Sequence, residues 1–188
     1  MKNIPLHIAA AFFFLLTLQA NAQVVINEYS ASNLSQFIDN HSDYEDWIEL
    51  YNPASSALDI SGWKFRDDAD NHTYTFPAPT TIPANGYLVV ASDLAKFNSI
   101  YPTVTNVVGN YGFDFDNGGE DLRVYNFNNV LYTSVLFDDF SPWPLSPDGQ
   151  GYTLERIFPA ADPNDGNNWF AGCFGGSPGR AYSSASVS

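Results

Sequence analysis

Hydrophobic and polar residues alternate along most of the chain in short runs, with the period of two that is typical of strands rather than the longer period of a helix. The runs are rich in β-branched and aromatic residues, which fit the pleated surface of a sheet. We therefore predict about eight short strands. They are VVINEYS at 24–30, WIELY at 47–51, WKFR at 63–66, YTF at 74–76, YLVVAS at 87–92, DLRVYNF at 121–127, VLYTSVLF at 130–137 and YTLERIF at 152–158.

The segments between these runs contain the residues that turns require. Gly and Asn supply positive φ and Pro fixes φ, as in Asn52-Pro53, Ser61-Gly62 and Asn117-Gly-Gly119. One short helix is expected at 92–100, capped by Ser92 or Asp93. Short strands separated by such turns favour two antiparallel sheets packed face to face, although the pattern does not give the order of strand pairing.

The first 22 residues have the composition of a secretory signal peptide. Lys2 precedes an apolar stretch at 8–18, and Ala20 and Ala22 form the small-residue cleavage pattern. A membrane-spanning helix needs about 20 apolar residues, so no transmembrane segment is expected after cleavage. We predict a signal peptide at 1–22, one β-sandwich domain at 23–181 and a Ser-rich flexible tail at 182–188. The predicted location is secreted or extracellular, which includes the periplasm and the cell surface.

Acidic residues outnumber basic residues by 21 to 7, which gives a formal net charge of -14. Removal of Lys2 with the signal peptide would make the charge one unit more negative. Such a surface repels a phosphate backbone, which excludes unaided nucleic-acid binding. The chain is 45% hydrophobic and can bury a sizeable core. Its single cysteine, Cys173, allows no internal disulfide, and we expect that thiol to be buried and inert, with intermolecular pairing as the alternative.

Four longer runs have an order and spacing that point to a known family. They are QVVINEYSA at 23–31, DWIELYNPASSALDISGWKF at 46–65, YTFPAPTTIPANGYLVVAS at 74–92 and FDFDNGGEDLRVYNF at 113–127, with further matches at 148–156 and 176–179. From Val24 to about Gly179 the chain resembles the lamin-tail domain family, and its bacterial, exported branch looks most similar.

The resemblance implies an immunoglobulin-like antiparallel β-sandwich without catalytic residues, used as a binding or scaffolding module. Bacterial members are exported and often accompany enzyme or sorting domains. The chromatin binding of nuclear lamins is not expected here, because this acidic chain lacks a basic patch.

Two acidic clusters have the residue types of a calcium site. In the first, Asp39, His41 and Asp43 keep the alternate spacing of a calcium loop, and Asp46 would close the coordination sphere. A histidine replaces an oxygen ligand there and the glycine of such loops is missing. A solvated acidic loop is therefore the alternative.

The second cluster comprises Asp67, Asp68 and Asp70, directly after the WKFR run. Such closely spaced carboxylates repel one another unless a cation or water separates them. Turn formation accounts for Asp at these positions equally well. The two clusters would share one ion if their loops met at one end of the sandwich, and no cofactor other than calcium is expected.

Motifs for catalysis are missing: the sequence contains no GxSxG nucleophile elbow, no HExxH and no paired Cys or His spacing for zinc. The sequence does not exclude a carboxylate pair for glycoside hydrolysis, because the distance between two carboxylates depends on the folded structure. Glu28 and Glu49 lie in predicted strands, and we expect them to accept hydrogen bonds or to pack against Arg156 or Arg123. The chain is predicted not to be an enzyme.

Trp143 lies in the proline-rich segment SPWPLSP at 141–147, which cannot join a sheet. Two positions are open for its ring. It is partly exposed and stacks on a sugar ligand, or it is buried and fills one end of the sandwich. Trp47, Trp63 and Trp169 are expected in the core.

Together these patterns predict an exported, non-enzymatic accessory or scaffolding domain at the cell exterior. Its partner would be a protein or a cell-surface glycan. The first alternative is a calcium-stabilised carbohydrate-binding module, and the second is a small carboxylate-based hydrolase. The oligomeric state is left open.

Overall fold

Two packed β-sheets form the framework of residues 23–31, 46–147 and 151–182, the residues that the computed structural model describes. The predicted signal peptide and residues 183–188 of the predicted tail lie outside them. The elements are β1 Val25–Ser30, β2 Trp47–Asn52, β3 Leu58–Asp59, β4 Lys64–Arg66, β5 Tyr74–Thr75, β6 Thr81–Ile82, β7 Gly86–Ala91, α1 Leu94–Ile100, β8 Val107–Gly109, β9 Gly119–Tyr125, β10 Leu131–Asp138, β11 Tyr152–Arg156, a 3-10 turn at Gly166–Asn168 and β12 Trp169–Phe174. Among the helices in these residues, none has the length and apolar character needed to cross a membrane.

The strands form one six-stranded sheet, in the order β12-β11-β1-β2-β7-β8, and one four-stranded sheet, in the order β10-β9-β4-β5. A short pair, β3-β6, lies beside them. The neighbours are antiparallel except for β7 and β8, which are parallel and are connected through α1. A parallel pair needs a crossover connection, and the helix supplies it. The predicted all-β, immunoglobulin-like sandwich is confirmed, with β7–β8 as an exception to its antiparallel pairing.

The described residues contain twelve strands rather than about eight. The additional strands are β3, β6, β8 and β12. The first three have two or three residues each, which is too short for alternation to be visible. In β12, Ala171 and Gly172 interrupt the hydrophobic pattern. The helix is confirmed at Leu94–Ile100, and the carboxylate of Asp93 caps it by accepting from the amides of Ala95 and Lys96 at 2.8 and 3.0 Å.

The core lies between the two large sheets because alternate residues of their strands face each other. Ile48 and Leu50 from β2 are fully buried, as are Leu122 and Val124 from β9. Phe65 of β4 contacts three aromatic rings from the segment that leads into β9. The predicted core positions of Trp47, Trp63 and Trp169 are confirmed, since these rings are 2%, 6% and 3% exposed.

Candidate functional site

Three carboxylates meet where β4 ends and β9 begins. One oxygen from each of Asp67, Asp68 and Glu120 lies within 4.8 Å of the others. The pairing of Arg66 with Arg123 aligns β4 and β9, and this alignment brings Glu120 to the aspartates. Asp67 is 2% exposed and Glu120 is 5% exposed, whereas Asp68 faces solvent. This carboxylate cluster has the oxygen donors that a hard cation requires.

Protein donors already use part of this cluster. Asp67 Oδ2 lies 2.5 Å from Nδ1 of His72, and its Oδ1 accepts the amide of Ala69 at 2.9 Å. Oε2 of Glu120 accepts the amide of Asp116 at 3.0 Å. Burial, with the nearby charges of Asp67 and Asp68, raises the pKa of Glu120 to about 7. The cluster therefore either retains a proton at Glu120 near neutral pH or is suited to a cation.

The structure changes the membership of the predicted second cluster. Asp67 and Asp68 are brought together, but the side chain of Asp70 is 86% exposed and lies 3.6 Å from Nη2 of Arg123. Glu120 takes the third position. Sequence reasoning missed it because Glu120 is remote in the chain and reaches the aspartates only through strand pairing.

The first predicted cluster is described only at Asp46, since Asp39, His41 and Asp43 lie outside the described residues. Asp46 is 5% exposed, and its Oδ2 accepts the amide of Phe115 at 2.7 Å. This bond joins the start of β2 to the segment before β9. The hydrogen bond and the burial give Asp46 a structural role in the described residues.

Three glutamates are buried on the outer face of the six-stranded sheet. Glu28 pairs across the strands with Glu155 on one side and with Glu49 on the other. Glu28 and Glu49 are fully buried, and Glu155 is 3% exposed. We call these three residues the glutamate row.

The segment after β12 covers the glutamate row. Glu28 Oε1 accepts from the hydroxyl of Thr153 at 2.6 Å and from the amide of Ser177 at 2.9 Å. Glu49 accepts from the amide of Gly179 at 2.6 Å and from the side chain of Asn27 at 3.1 Å. The prediction that Glu28 and Glu49 accept structural hydrogen bonds is confirmed.

The two arginines named as alternative partners of Glu28 and Glu49 are engaged elsewhere. Arg123 donates to the carbonyl of Asp67, and Arg156 donates to the carbonyl of Ala161. Glu28 and Glu49 are therefore held by hydrogen bonds from hydroxyl, amide and backbone groups, whereas Oε1 of Glu155 is buried without a hydrogen-bond partner.

Burial strongly perturbs these carboxyls. It raises the pKa of Glu28 well above its usual value, and the neighbouring Glu155 and Glu49 raise it further. Burial also raises the pKa of Glu49 to about 8 and that of Glu155 to about 7. Raised pKa values are typical of catalytic acids. Here, however, Glu28 and Glu49 are fully buried beneath the covering segment.

Cys173 is buried beside this covering segment. Its thiol is 8% exposed and donates to the carbonyl of Gly176 at 3.1 Å. Burial raises the pKa of the thiol, which disfavours the reactive thiolate. The position agrees with the predicted buried, inert cysteine.

The structure corrects the suggestion that Trp143 contacts a ligand. The ring is 6% exposed and packs against Trp169, with 5.9 Å between the ring centroids. Gly166 lies against the backbone of Trp143 so closely that an added Cβ would be 2.6 Å from its nitrogen. Trp143 therefore plugs the sandwich, and it has no exposed face on which a sugar would stack.

An open groove of about 660 Å³ lies beside the edge strand β10. One wall is the consecutive residues 131–134 of β10, and the opposite wall comes from Pro159, Ala160, Ala161 and Pro163. Gln23, Val25 and Pro53 also line the groove. Arg156 lines the groove, is 8% exposed and donates through Nη2 to the carbonyl of Ala161. Its Nε and Nη1 have no hydrogen-bond partner. We call this feature the β10 groove; it combines an exposed strand edge with a cation.

The family model that describes the Lamin Tail Domain matches residues 17–138, about two thirds of the chain. This chain belongs to the lamin tail domain family. The matched range contains β1 to β10, so β11, β12 and the segment that covers the glutamate row lie beyond it. The similarity expected up to Gly179 is therefore shown only as far as residue 138. A search of curated proteins found no match.

The lamin tail domain is an immunoglobulin-like, non-catalytic domain, and the family supports a structural or binding role for this chain. Its established fold agrees with the sandwich described above. Fold membership alone does not identify a ligand, so the ligand must be argued from the surface of this chain.

Proposed function

We propose that this lamin tail domain protein is an exported, non-catalytic module that binds a protein partner at the cell exterior, as an accessory or scaffolding domain. The leader-like composition of residues 1–22 supports export. The observation that carries the binding role is the β10 groove, which leaves part of a strand edge open beside a buried arginine. Strand edges are common sites for docking of extended protein segments.

A protein partner agrees with the surface better than a glycan does. Sugar binding by β-sandwich modules relies on exposed aromatic faces, and Trp143 is buried. The groove has one aromatic side chain, Tyr132, among aliphatic, proline and polar groups, a strand edge and one guanidinium. These are the groups that bind an extended polypeptide.

Export is tested by expressing the full chain in a bacterium and sequencing the N-terminus of the protein recovered outside the cytoplasm. We expect a mature N-terminus at Gln23. Leu15→Arg places a charge in the apolar stretch and should leave an uncleaved protein in the cytoplasm. Recovery of the unaltered chain in the cytoplasm with Met1 retained would contradict the proposal.

The absence of catalysis is tested on the full chain with a panel of glycosides. We expect no turnover from the unaltered protein or from Glu28→Gln and Glu49→Gln, because both carboxyls are covered. A hydrolysis that the unaltered protein performs and either variant loses would make the protein a hydrolase.

Calcium binding by the carboxylate cluster is a second candidate function, favoured by the approach of Asp67, Asp68 and Glu120 within 4.8 Å. If calcium binds the folded state, it should stabilise the protein by about 2.7 kcal/mol at about 100 times Kd, by mass action. Thermal unfolding with calcium or EDTA measures this effect.

Two matched variants locate the site. Asp68→Asn should abolish the calcium-dependent rise in Tm, whereas Asp70→Asn should retain it because Asp70 lies outside the cluster. An equal Tm with calcium and with EDTA would reject calcium binding.

A further inference from the structure

The β10 groove follows the edge of its strand rather than one face. Successive side chains of a strand point to opposite faces. The groove is nevertheless lined by four consecutive residues, Leu131, Tyr132, Thr133 and Ser134. The pairing with β9 has a register shift between Leu131 and Thr133, so the groove follows the strand edge across a β-bulge. At about 3.3 Å per residue, this length matches about four residues of extended chain.

Strand β10 has an unpaired side along this stretch. It pairs with β9, and among the described residues it is the terminal strand of its sheet. The Leu136 amide points away from β9, because it donates to Oδ1 of Asn164 at 2.9 Å. Amides two residues apart in a strand point the same way, so the amide of Ser134 faces the groove. Asn164 therefore caps the edge at Leu136, and the open part lies at 131–134.

The opposite wall is unsuited to closing this edge. It contains Pro159 and Pro163, and proline has no amide to donate to the carbonyls of β10. Leu131 is 49% exposed beside this wall. The groove thus presents strand donors, strand acceptors and an apolar contact to an incoming segment.

The charge of the groove specifies the partner further. Among the described residues that line it, Arg156 is the charged one, and the acidic Asp162 lies nearby. Burial lowers the pKa of Arg156, and the charge of Asp162 raises it. Arg156 is 8% exposed, and two of its nitrogens have no protein partner. Buried guanidinium nitrogens without acceptors are costly, and a ligand carboxylate that reached them would supply hydrogen-bond acceptors in addition to the charge of Asp162. The local cation favours an acidic ligand even though the chain as a whole is acidic.

We propose that the β10 groove binds an extended peptide segment of a partner protein, which adds as a strand to residues 131–134 and directs an Asp or Glu side chain toward Arg156. This inference rests on the proposed protein-binding function and names the chemistry of its partner. Main-chain hydrogen bonds to β10 supply affinity, and the carboxylate supplies selectivity.

The test measures the binding of labelled, end-blocked pentapeptides to the full mature protein by fluorescence anisotropy. The probes are TVDVT, TVNVT and TVKVT, which differ only at the central residue. We expect TVDVT to bind about tenfold more tightly than TVNVT, with TVKVT the weakest. Equal affinity for all three, or no binding by any probe at millimolar concentration, would overturn the proposal.

Two pairs of variants connect the binding to the groove. Arg156→Gln should remove the preference for TVDVT over TVNVT, whereas Arg180→Gln, outside the groove, should preserve it. Ser134→Pro removes the edge amide and should abolish binding of all probes, whereas Ser134→Ala should bind as the unaltered protein does. Because Arg156 is buried, circular dichroism must show that each variant is folded, and the Ser134 pair tests the edge independently of Arg156.

Size-exclusion chromatography and light scattering test whether a second copy of the chain, instead of a partner peptide, occupies the β10 edge. A dimer that Ser134→Pro dissociates and Ser134→Ala preserves would show a second copy of the chain on the edge, and would overturn the peptide proposal. If the protein is exported but binds none of the peptides, the proposed peptide binding by the β10 groove is rejected and the proposed export is not. Retention of an uncleaved chain in the cytoplasm rejects the proposed exported function, whatever the peptides do.

Discussion

Neighbouring residues of one strand are buried on opposite faces of the six-stranded sheet. The surroundings are apolar on the inner face and polar around the glutamate row on the outer face. On β2, Ile48 and Leu50 face the apolar core, and Glu49 between them belongs to the glutamate row on the opposite face. All three are fully buried. The inner face is closed by the second sheet, and the outer face is closed over the glutamate row by the segment after β12.

The difference between these faces concerns how burial is stabilised. Apolar burial is roughly proportional to area and does not depend on direction. A buried carboxyl requires donors at defined positions, and leaving one without them costs free energy. The glutamate row therefore depends on a few backbone amides, those of Ser177 and Gly179 among them, whereas Trp47 beside it packs in a separate apolar cluster with Phe97.

The largest loss of stability is expected from a substitution on the apolar face. Leu50→Ala should lower the free energy of unfolding by about 2–5 kcal/mol, because it removes buried methyl groups and leaves a cavity. Urea unfolding measures the change. The exposed Leu136 is the matched control, and Leu136→Ala should cost less than about 0.5 kcal/mol. Equal losses for the two variants would contradict the assigned core.

A smaller loss of stability is expected from a glycine substitution in the segment that covers the glutamate row. Gly176 has φ +73°, and an added Cβ would lie 2.5 Å from Glu28 Oε1. Gly112 has the same φ of +73° and has nothing within 4 Å of an added Cβ. Gly112→Ala should therefore cost about 1–2 kcal/mol from backbone strain alone.

Gly176→Ala adds a collision with the glutamate row to the same strain. We expect it to cost at least about 1 kcal/mol more than Gly112→Ala in urea unfolding, in the range for loss of a buried hydrogen bond. If the two variants are equally stable, the close packing of the covering segment does not stabilise the outer face.

The two faces also differ in their expected response to pH. The glutamate row has folded-state pKa values above the ordinary 4.5, about 8 for Glu49 and about 7 for Glu155. The folded protein therefore binds protons more tightly than the unfolded chain does. This stabilisation is fully present below pH 4.5 and is lost as the pH rises through 7 and 8. Urea midpoints should fall from pH 5 to pH 8.

Two variants test whether this slope, the fall of the urea midpoint with pH, comes from the glutamate row. Glu49→Gln should reduce the slope without removing it, because Glu28, Glu155 and Glu120 also have raised pKa values. Asp59→Asn should leave it unchanged, because hydrogen bonds from Ser61 lower the pKa of Asp59 and its titration lies below this range. Stability that increases from pH 5 to pH 8 would contradict the buried, protonated glutamates.

Much of the fold was predictable because its signals are local. The alternation in WIELY and DLRVYNF marks β2 and β9, and Asp93 is recognisable as a helix cap. The strands β3 and β6 were missed because each has two residues, and pairing with each other defines them. Their existence depends on a contact between segments, which local pattern does not show.

The candidate sites were less predictable for the same reason. Asp67 and Asp68 were recognised as neighbours in the sequence, but Glu120 joins them through the pairing of β4 with β9. Asp70, adjacent in sequence, faces solvent instead. The β10 groove has no motif at all, because residues 131–134, Arg156 and the segment 159–163 approach one another only after folding.

The sequence by itself determined the class of this protein, an acidic, all-β domain with an apolar core, because strand periodicity, turn residues and composition act locally. The resemblance of its longer runs to the lamin tail domain indicated the family. The tertiary structure alone decided which acids are buried together, that Trp143 is a core residue and that part of the β10 edge is open. These properties depend on strand order and register, which bring distant residues within a few ångströms and thereby set their burial, their hydrogen bonds and their pKa values.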